Sequence, residues 1–381
     1  MPHGAACYTR AFGAPSRYAQ GPNELDHLVK YVQVYGTSCL IIIDPFFFET
    51  YSQKFEAMFA AAGMTAFCES FRGDCTDEEI HRLAAIVKDN RLEVVIGLGG
   101  GKTCDTAKAV GYLGHAARFI CPTSLSTDAP TSCHSIVSQP DRTTYLLRQR
   151  CNPEFVIVDT AIAVRSPVRM LVAGLGDALA TYIEARAVAE CSNQINVGVG
   201  ILDRGYRMTR LSMAASKLAF DLILEKGRSA VLAAKKQIDT EAFEDIAEAN
   251  TLLSGLGFEN TSCAIAHGIE MALHTLPETA RMLHGEMVGY GALVELVLED
   301  RPESEFRAVY NFCRDVGLPL TLGDLGITDH VAEKLDAALE FGLGNISILL
   351  NEPFVVTKER LLHAILYLEA LRDENSERVG V

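Results

Sequence analysis

The sequence predicts an α/β N-terminal half built on a parallel, Rossmann-like sheet, followed by an all-helical C-terminal half. Three observations carry this. Strand and helix patterns alternate from residue 38 to residue 159. The strands are apolar end to end, as in a sheet covered on both faces. Past about residue 165 strand patterns almost vanish, and Ala-, Leu- and Glu-rich helical periodicity takes over. A chain of 381 residues suggests two domains, each with its own core. The change of character puts them at 1–165 and 166–381.

Ser38–Asp44 (SCLIIID) reads as a buried strand, and Phe46–Ala62 as a helix. Thr65–Ser70 is the next strand. Asp77–Asn90 follows as a helix, with Ile80, Leu83, Ala84 and Val87 on one face. Leu92–Leu98 is a continuous apolar strand that runs through glycines into the helix Lys102–Leu113. Ala117–Cys121 and Glu154–Asp159 complete the sheet. The helical half contains Leu171–Ala189, Met208–Glu225, Glu241–Leu256, Ala264–Leu276, Val288–Leu298, Glu303–Val316, His330–Phe341 and Lys358–Arg372. In such folds ligands bind beyond the C-terminal ends of the strands, in the cleft between domains.

Composition excludes several classes. A net charge of −15 argues against nucleic acid or an anionic membrane as partner. No apolar run approaches the ~20 residues of a membrane span. Met1-Pro2-His3-Gly4 lacks the basic flank and apolar core of a secretory signal. The 11 cysteines are odd in number, irregularly spaced and free of any C-x-x-C pair, so a thiolate zinc site is disfavoured. A reducing compartment, the cytoplasm, fits best.

The chemistry begins at Val94–Asp105 (VVIGLGGGKTCD), where an apolar strand enters a glycine-rich turn that opens a helix. Glycines remove the Cβ atoms that would block a phosphate, and the helix N-terminus offers free N–H groups. A Walker A loop would need Gly at position 96, which is Ile, and G-x-G-x-x-G would need Gly at 102, which is Lys. A pyrophosphate site is favoured over a turn needed only for packing. Asp44, ending its strand, suits either a ribose diol or simple turn initiation with Pro45. The loop Pro122–Ser132 (PTSLSTDAPTS) is rich in hydroxyls around Asp128 and suits phosphate, ribose or a substrate hydroxyl, or an ordinary surface loop. In the helical half, Asp177 sits in an apolar helical run with Glu184 two turns on. His267 lies in another apolar helix, and His284 stands just before a third. One carboxylate and two imidazoles can hold Zn²⁺ with a position open. Spacing alone, however, reads His267 as a core histidine and His284 as a helix-start residue.

These segments together resemble a known family. Gly99–Val110 (GGGKTCDTAKAV), Ser126–Ser132 (STDAPTS), Leu175–Thr181 (LGDALAT), Asn250–Glu259 and His284-Gly285-Glu286 are similar, in order, to motifs of the glycerol dehydrogenases. These form the metal-dependent polyol branch of the iron-type alcohol dehydrogenases, with a dehydroquinate synthase-like fold. The similarity runs from Arg17-Tyr18 to about Phe354. It implies that Asp44 holds the adenosine ribose of NAD. It places Gly100, Gly101, Lys102, Thr103 and Asp105 at the pyrophosphate, and Thr123, Ser126 and Ser132 along the cofactor. Asp128 becomes the substrate-contacting acid. Asp177, His267 and His284 become ligands of Zn²⁺, with Fe²⁺ or Mn²⁺ as alternatives, and they reach substrate through the metal. The family also forms rings of subunits, which implies a homo-oligomer. Three positions depart from its pattern: Glu270 stands where His is frequent, and His134 and Ser138 replace Leu and Tyr.

The expected activity is NAD⁺- and metal-dependent oxidation of glycerol, or a related small vicinal diol, to the hydroxyketone. The alternatives are a dehydrogenase of another polyol or hydroxy acid, a dehydroquinate synthase-like lyase, and a non-catalytic nucleotide- or metal-binding protein. A lyase needs basic residues for a phosphorylated substrate, and no Lys/Arg cluster accompanies the metal motifs.

Overall fold

A computed structural model describes residues 9–140, 143–191 and 206–379, with side chains up to residue 371. Met1–Gly4 and Cys7, read above for a signal and for cysteine use, lie outside the described residues. The chain opens with β1 (Tyr18–Gly21) and α1 (Leu28–Val32). Then come β2 (Ser38–Ile43), α2 (Pro45–Ala61), β3 (Thr65–Ser70), α3 (Asp77–Asp89), β4 (Val94–Gly99), α4 (Gly101–Gly114) and β5 (Ala117–Pro122). A hairpin, β6 (His134–Ser138) and β7 (Thr144–Arg148), precedes β8 (Phe155–Asp159) and the short α5 (Thr160–Ala163). The rest is helical: α6 (Val168–Cys191), α7 (Arg210–Lys236), α8 (Glu241–Glu248), α9 (Ser254–Thr261), α10 (Ile265–Leu273), α11 (His284–Leu298), α12 (Glu303–Val316), α13 (Val331–Asn345) and α14 (Lys358–Val379).

Six strands pair in parallel in the order β1-β8-β5-β4-β2-β3. Alternate side chains feed two apolar layers. Ile41, Ile43, Ile96 and Phe119 pack with Leu28, Phe55 and Phe59 on one face. Leu40, Ile42, Val95 and Ile120 pack with Leu83, Val87 and Val110 on the other. That second layer continues into the helical half through Leu125, Leu171 and Leu175. Apolar strands here do mean a sheet covered on both faces. The edge strand β3 departs from this, with Thr65 and Phe67 exposed.

Four expectations need correction. β1 (YAQG) is too short and too polar to stand out, and it joins the sheet by pairing with β8. The β6–β7 hairpin is a separate two-stranded sheet just after the Pro122–Ser132 loop, in a stretch for which no strand is expected. The helix expected over Glu241–Leu256 is broken by a π-turn at Ala249–Leu253, after which α9 begins. The helix expected from Val288 starts one turn earlier, at His284. Smaller shifts occur at α7, which runs on to Lys236, and α10, which stops at Leu273.

Helices α6 and α11 cross backbone to backbone. A Cβ on Gly285 would lie 1.9 Å from the Ala173 carbonyl oxygen, and one on Gly176 would lie 2.2 Å from that of Gly285. Only glycine permits this approach. It carries Asp177 to His284, its neighbour across the crossing. The buried Lys108 fixes the loop after β5 from the sheet side. Its ammonium pairs with Asp105 at 2.8 Å and donates to the carbonyls of Ala129 and His134.

Gly285→Ala should therefore cost about 1–3 kcal/mol through forced separation of the two helices, read as a lower midpoint in urea unfolding. His134 supplies a pH signature. Burial, with the Lys108 and Arg148 charges, pushes its pKa down from 6.5 to about 4. The unfolded chain takes up a proton that the fold refuses, so stability falls as pH drops from about 6.5 through 4. His134→Gln should lose that part of the slope in unfolding curves taken between pH 4 and 7.

Candidate active site

Three side chains expected to bind metal converge, although 90 residues separate the first two in sequence. His267 Nε2 and His284 Nε2 point at one Asp177 oxygen, Oδ1, from 3.5 and 3.4 Å. The ligand-type atoms of all three lie within 4.8 Å of one another. Asp177 is buried, and its Oδ1 takes no hydrogen bond. A buried carboxylate oxygen without a donor, faced by two imidazole nitrogens, is a donor set that fits a divalent cation. His284 is 44% exposed in its side chain, so the cluster opens to solvent on that side.

Each ligand is positioned by identifiable contacts. The His267 Nδ1 meets Glu184 Oε2 at 2.7 Å, while Glu184 Oε1 accepts the N–H groups of Ala264 and His267. Glu295 of α11 accepts the N–H of Ala266 at 2.7 Å. Carboxylates from α6 and α11 thus cap the start of α10, which has no side-chain cap of its own. His284 Nδ1 faces Glu270 Oε1 at 3.3 Å. Its helix start is held by Glu286, which accepts the Leu283 N–H and is gripped by Arg169. Both histidines therefore have a carboxylate behind the ring, which fixes the tautomer and leaves Nε2 for a metal.

The electrostatics favour positive charge at this point. Burial opposes ionisation of Asp177, but His284 and His267 hold its carboxyl below the usual range. Burial also works against the charged imidazoles, yet Glu270 and Asp177 push His284 up to about 10. Cys263 and Glu184 push His267 well up against the same penalty. Asp128 responds in the opposite sense: burial and then the Asp177 charge raise it to about 8. Protons gather on the imidazoles because carboxylates surround them, and a divalent cation answers the same demand.

Asp128 joins the cluster through its backbone. Its N–H points at Asp177 Oδ2 from 3.4 Å, and Ser254 donates to its carboxylate at 2.6 Å. Spacing alone did not single out Ser254 or Cys263. Ser254 comes into place through the π-turn before α9, a feature common at functional sites. Cys263 sits with Glu184 and His267, ligand-type atoms within 4.8 Å, and nothing in its local pattern marks it out.

The nucleotide-side residues lie where the sheet order reverses. From β2 the chain moves outward to β3 and then returns to β4 on the other side, so the switch point falls between β2 and β4. Asp44 ends β2 and caps α2, its Oδ1 accepting the Phe46 N–H at 3.0 Å. The turn after β4 has two kinds of glycine. A Cβ on Gly99 would lie 2.5 Å from Thr103 Oγ1, a packing demand, whereas one on Gly100 would meet nothing within 4 Å. Gly100 thus borders open space at the start of α4, which no side chain caps, while a Cβ on Gly101 would make ordinary contact with Thr127 at 3.6 Å. Thr103 is buried, and its hydroxyl oxygen takes no hydrogen bond. Lys102 is exposed and pairs with Asp74 at 3.0 Å.

Thr123 and Ser126 lie on the loop after β5. Thr123 N–H bonds the Gly99 carbonyl, and the Ser126 hydroxyl meets that of Ser124. Two expected cofactor residues also hold the loop and hairpin together. Asp105 pairs with Lys108 and accepts the Ile136 N–H, so it anchors the hairpin. The buried Ser132 donates to Ala129 and accepts from Lys108 and His134 inside the loop. Ser138, one of the three departures from the family pattern, donates to Asp74, the partner of Lys102 at the glycine-rich turn.

Residues 15–160 match the model of the iron-containing alcohol dehydrogenases. The chain is 38% identical to glycerol dehydrogenase from Citrobacter freundii, covering 94% of this chain and 96% of that protein. It is 34% identical to glycolaldehyde reductase from Halobacterium salinarum, over 97% and 99%. The crystal structure of glycerol dehydrogenase from Schizosaccharomyces pombe superposes with a TM-score of 0.89 at 32% identity, covering 98% of this chain and 93% of that one. Likeness of this extent in both sequence and fold makes the chain an oxidoreductase that belongs to the iron-containing alcohol dehydrogenase family, within its glycerol dehydrogenase branch.

Proposed function

We propose that the protein oxidises glycerol, or a closely related small vicinal diol, to the hydroxyketone with NAD⁺. The observation that carries this reading is the convergence of His267 and His284 on a hydrogen-bond-free oxygen of buried Asp177. Asp177, His267 and His284 would hold the metal, zinc by preference, since one carboxylate with two imidazoles suits it while admitting Fe²⁺ or Mn²⁺. When bound, it supplies Lewis acidity that makes a neighbouring alcohol more acidic.

The chain's own groups do the rest. Glu184 and Glu270 hold the rings so that both Nε2 atoms face Asp177. Asp128, fixed by Ser254, is placed to accept a hydrogen bond from a second substrate hydroxyl and so to favour polyols. The uncapped start of α4, with Gly100 beside open space, supports pyrophosphate binding. Asp44 keeps one carboxylate oxygen beyond its bond to Phe46 for a ribose diol, and its charge disfavours a 2′-phosphate. Holding cofactor and diol in register provides the orientation that hydride transfer needs.

The glycolaldehyde reductase relative supports a second reading, reduction of a small hydroxyaldehyde at the same site. Glycerol and glycolaldehyde share oxygens on adjacent carbons, the feature a metal beside Asp128 selects. Among the described residues no two cysteines are joined, and no described helix is long and apolar enough to cross a membrane. Both fit the cytoplasmic residence that belongs to this reading. A homo-oligomer belongs to it as well, by analogy with the branch.

With NAD⁺ and glycerol we expect a steady rise in NADH absorbance that stops on chelation and returns with Zn²⁺. Turnover unaffected by chelation would refute the ligand assignment. Asp177→Ala should fall to background, and Asp44→Ala should narrow the preference for NAD⁺ over NADP⁺. Glu184→Gln should weaken metal binding roughly 10- to 100-fold, the usual effect of losing a carboxylate behind a ligand histidine, measured by competition with a chromogenic chelator.

A further inference from the structure

One group of buried acids, apart from the Glu295 bond to the Ala266 N–H, plays no part in the reading above. Glu295 on α11 and Glu299, the residue that caps its C-terminus, stand four residues apart, and Glu352 lies on the segment between α13 and α14. One carboxylate oxygen from each falls within 4.8 Å of the others. Glu295 is 0% exposed, Glu352 5%, and the Glu299 side chain 2%.

The arginines nearby are ion-paired with one of the three. Arg301 binds both Glu299 oxygens, at 2.6 and 2.8 Å, and Arg186 approaches Glu299 at 3.8 Å. Among the described residues no ion pair joins Glu295 or Glu352. Both Glu352 oxygens and Glu295 Oε1 are buried without a hydrogen-bond partner, while Glu295 Oε2 accepts the Ala266 N–H. A carboxylate whose two oxygens are both dry and unbonded, facing two more carboxylates, is the arrangement a fold avoids unless something positive or a proton stands among them. Burial and the Glu299 and Glu184 charges push Glu352 up to about 8, and burial with the Glu184, Glu352 and Glu299 charges pushes Glu295 well up, so protons and a cation compete for the same oxygens.

We propose that Glu295, Glu299 and Glu352 form a second cation site, separate from the Asp177 cluster, for a hard divalent ion of calcium's class. The donors are all oxygen, which suits calcium or magnesium and not a nitrogen- or sulfur-seeking metal. The ion clasps the segment carrying Glu352 onto α11. Asn351, next in the chain, donates to the Cys263 carbonyl at 2.8 Å, and Glu295 holds the Ala266 N–H. The clasp therefore braces the start of α10, on which His267 is mounted.

The test is isothermal titration of the zinc-loaded enzyme with calcium chloride, with magnesium chloride as comparison, and thermal unfolding in parallel. Wild type should take up one equivalent of calcium or of magnesium and unfold at a higher temperature in its presence. Glu352→Gln should bind that ion at least tenfold more weakly while keeping its zinc content and turnover. Should that variant fail to fold, Glu299→Gln serves in its place. No uptake of either ion by wild type, or equal uptake by the variant, overturns the proposal. The calorimetric readout does not depend on glycerol oxidation, so it stands or falls apart from the proposed activity.

Discussion

The contact on which the site depends is the crossing of α6 and α11 with nothing but backbone between them. Gly176 and Gly285 allow it, and a methyl group on either would collide with a carbonyl oxygen. The crossing lays Asp177 beside the first turn of α11, where His284 begins. One turn earlier on α6, Gly174 leaves room for the Leu125 carbonyl, which also accepts a hydrogen bond from Asn250. The loop after β5 thereby docks on the same helix, and the Asp128 N–H comes to face Asp177. A single run, Gly174-Leu175-Gly176-Asp177, joins the sheet side to the metal side. Larger residues there would keep the fold's outline and lose the convergence.

That convergence has an electrostatic cost, which the fold answers with more carboxylates. Glu184 and Glu295 lie fully buried at the N-terminus of α10, where free N–H groups and the helix dipole stabilise negative charge. Glu270 and Glu184 in turn hold protons or ring N–H groups on the far side of each imidazole. The result is a pocket more negative than the two imidazoles alone can balance, and buried negative charge of this kind is stable only around a cation. Architecture and metal demand are here one property.

Much of the sheet was legible because its strands are continuous apolar runs, a local signal. Ser38–Ile43 and Thr65–Ser70 fall within a residue of expectation. β1 was not, since four residues including Gln and Gly gain strand character only by pairing with β8. The hairpin escaped for a similar reason: Ile136, Tyr145 and Leu146 point outward, so its pattern is that of a loop with stray hydrophobics. At the site, motif resemblance marked the three ligand positions, but the π-turn that delivers Ser254 depends on tertiary contacts. The same holds for Asp105, whose place beside a glycine turn reads as cofactor-facing. Only the fold reveals Lys108 three residues on, buried and in need of its charge.

Glu270 stands where the branch frequently has His, and its position recasts what that departure means. Its carboxylate faces His284 Nδ1, as Glu184 faces His267 Nδ1. An imidazole in its place would present a neutral or cationic partner; a carboxylate makes the ligand more basic and adds a negative charge within reach of the metal. On the proposed reading, both changes would strengthen binding of the ion and soften its Lewis acidity. Activation of a diol would then lean more on the polar groups around it, Asp128 above all, whose pKa is raised by burial and the Asp177 charge. The substitution would thus act on how strongly a metal is held before it acted on which diol is chosen.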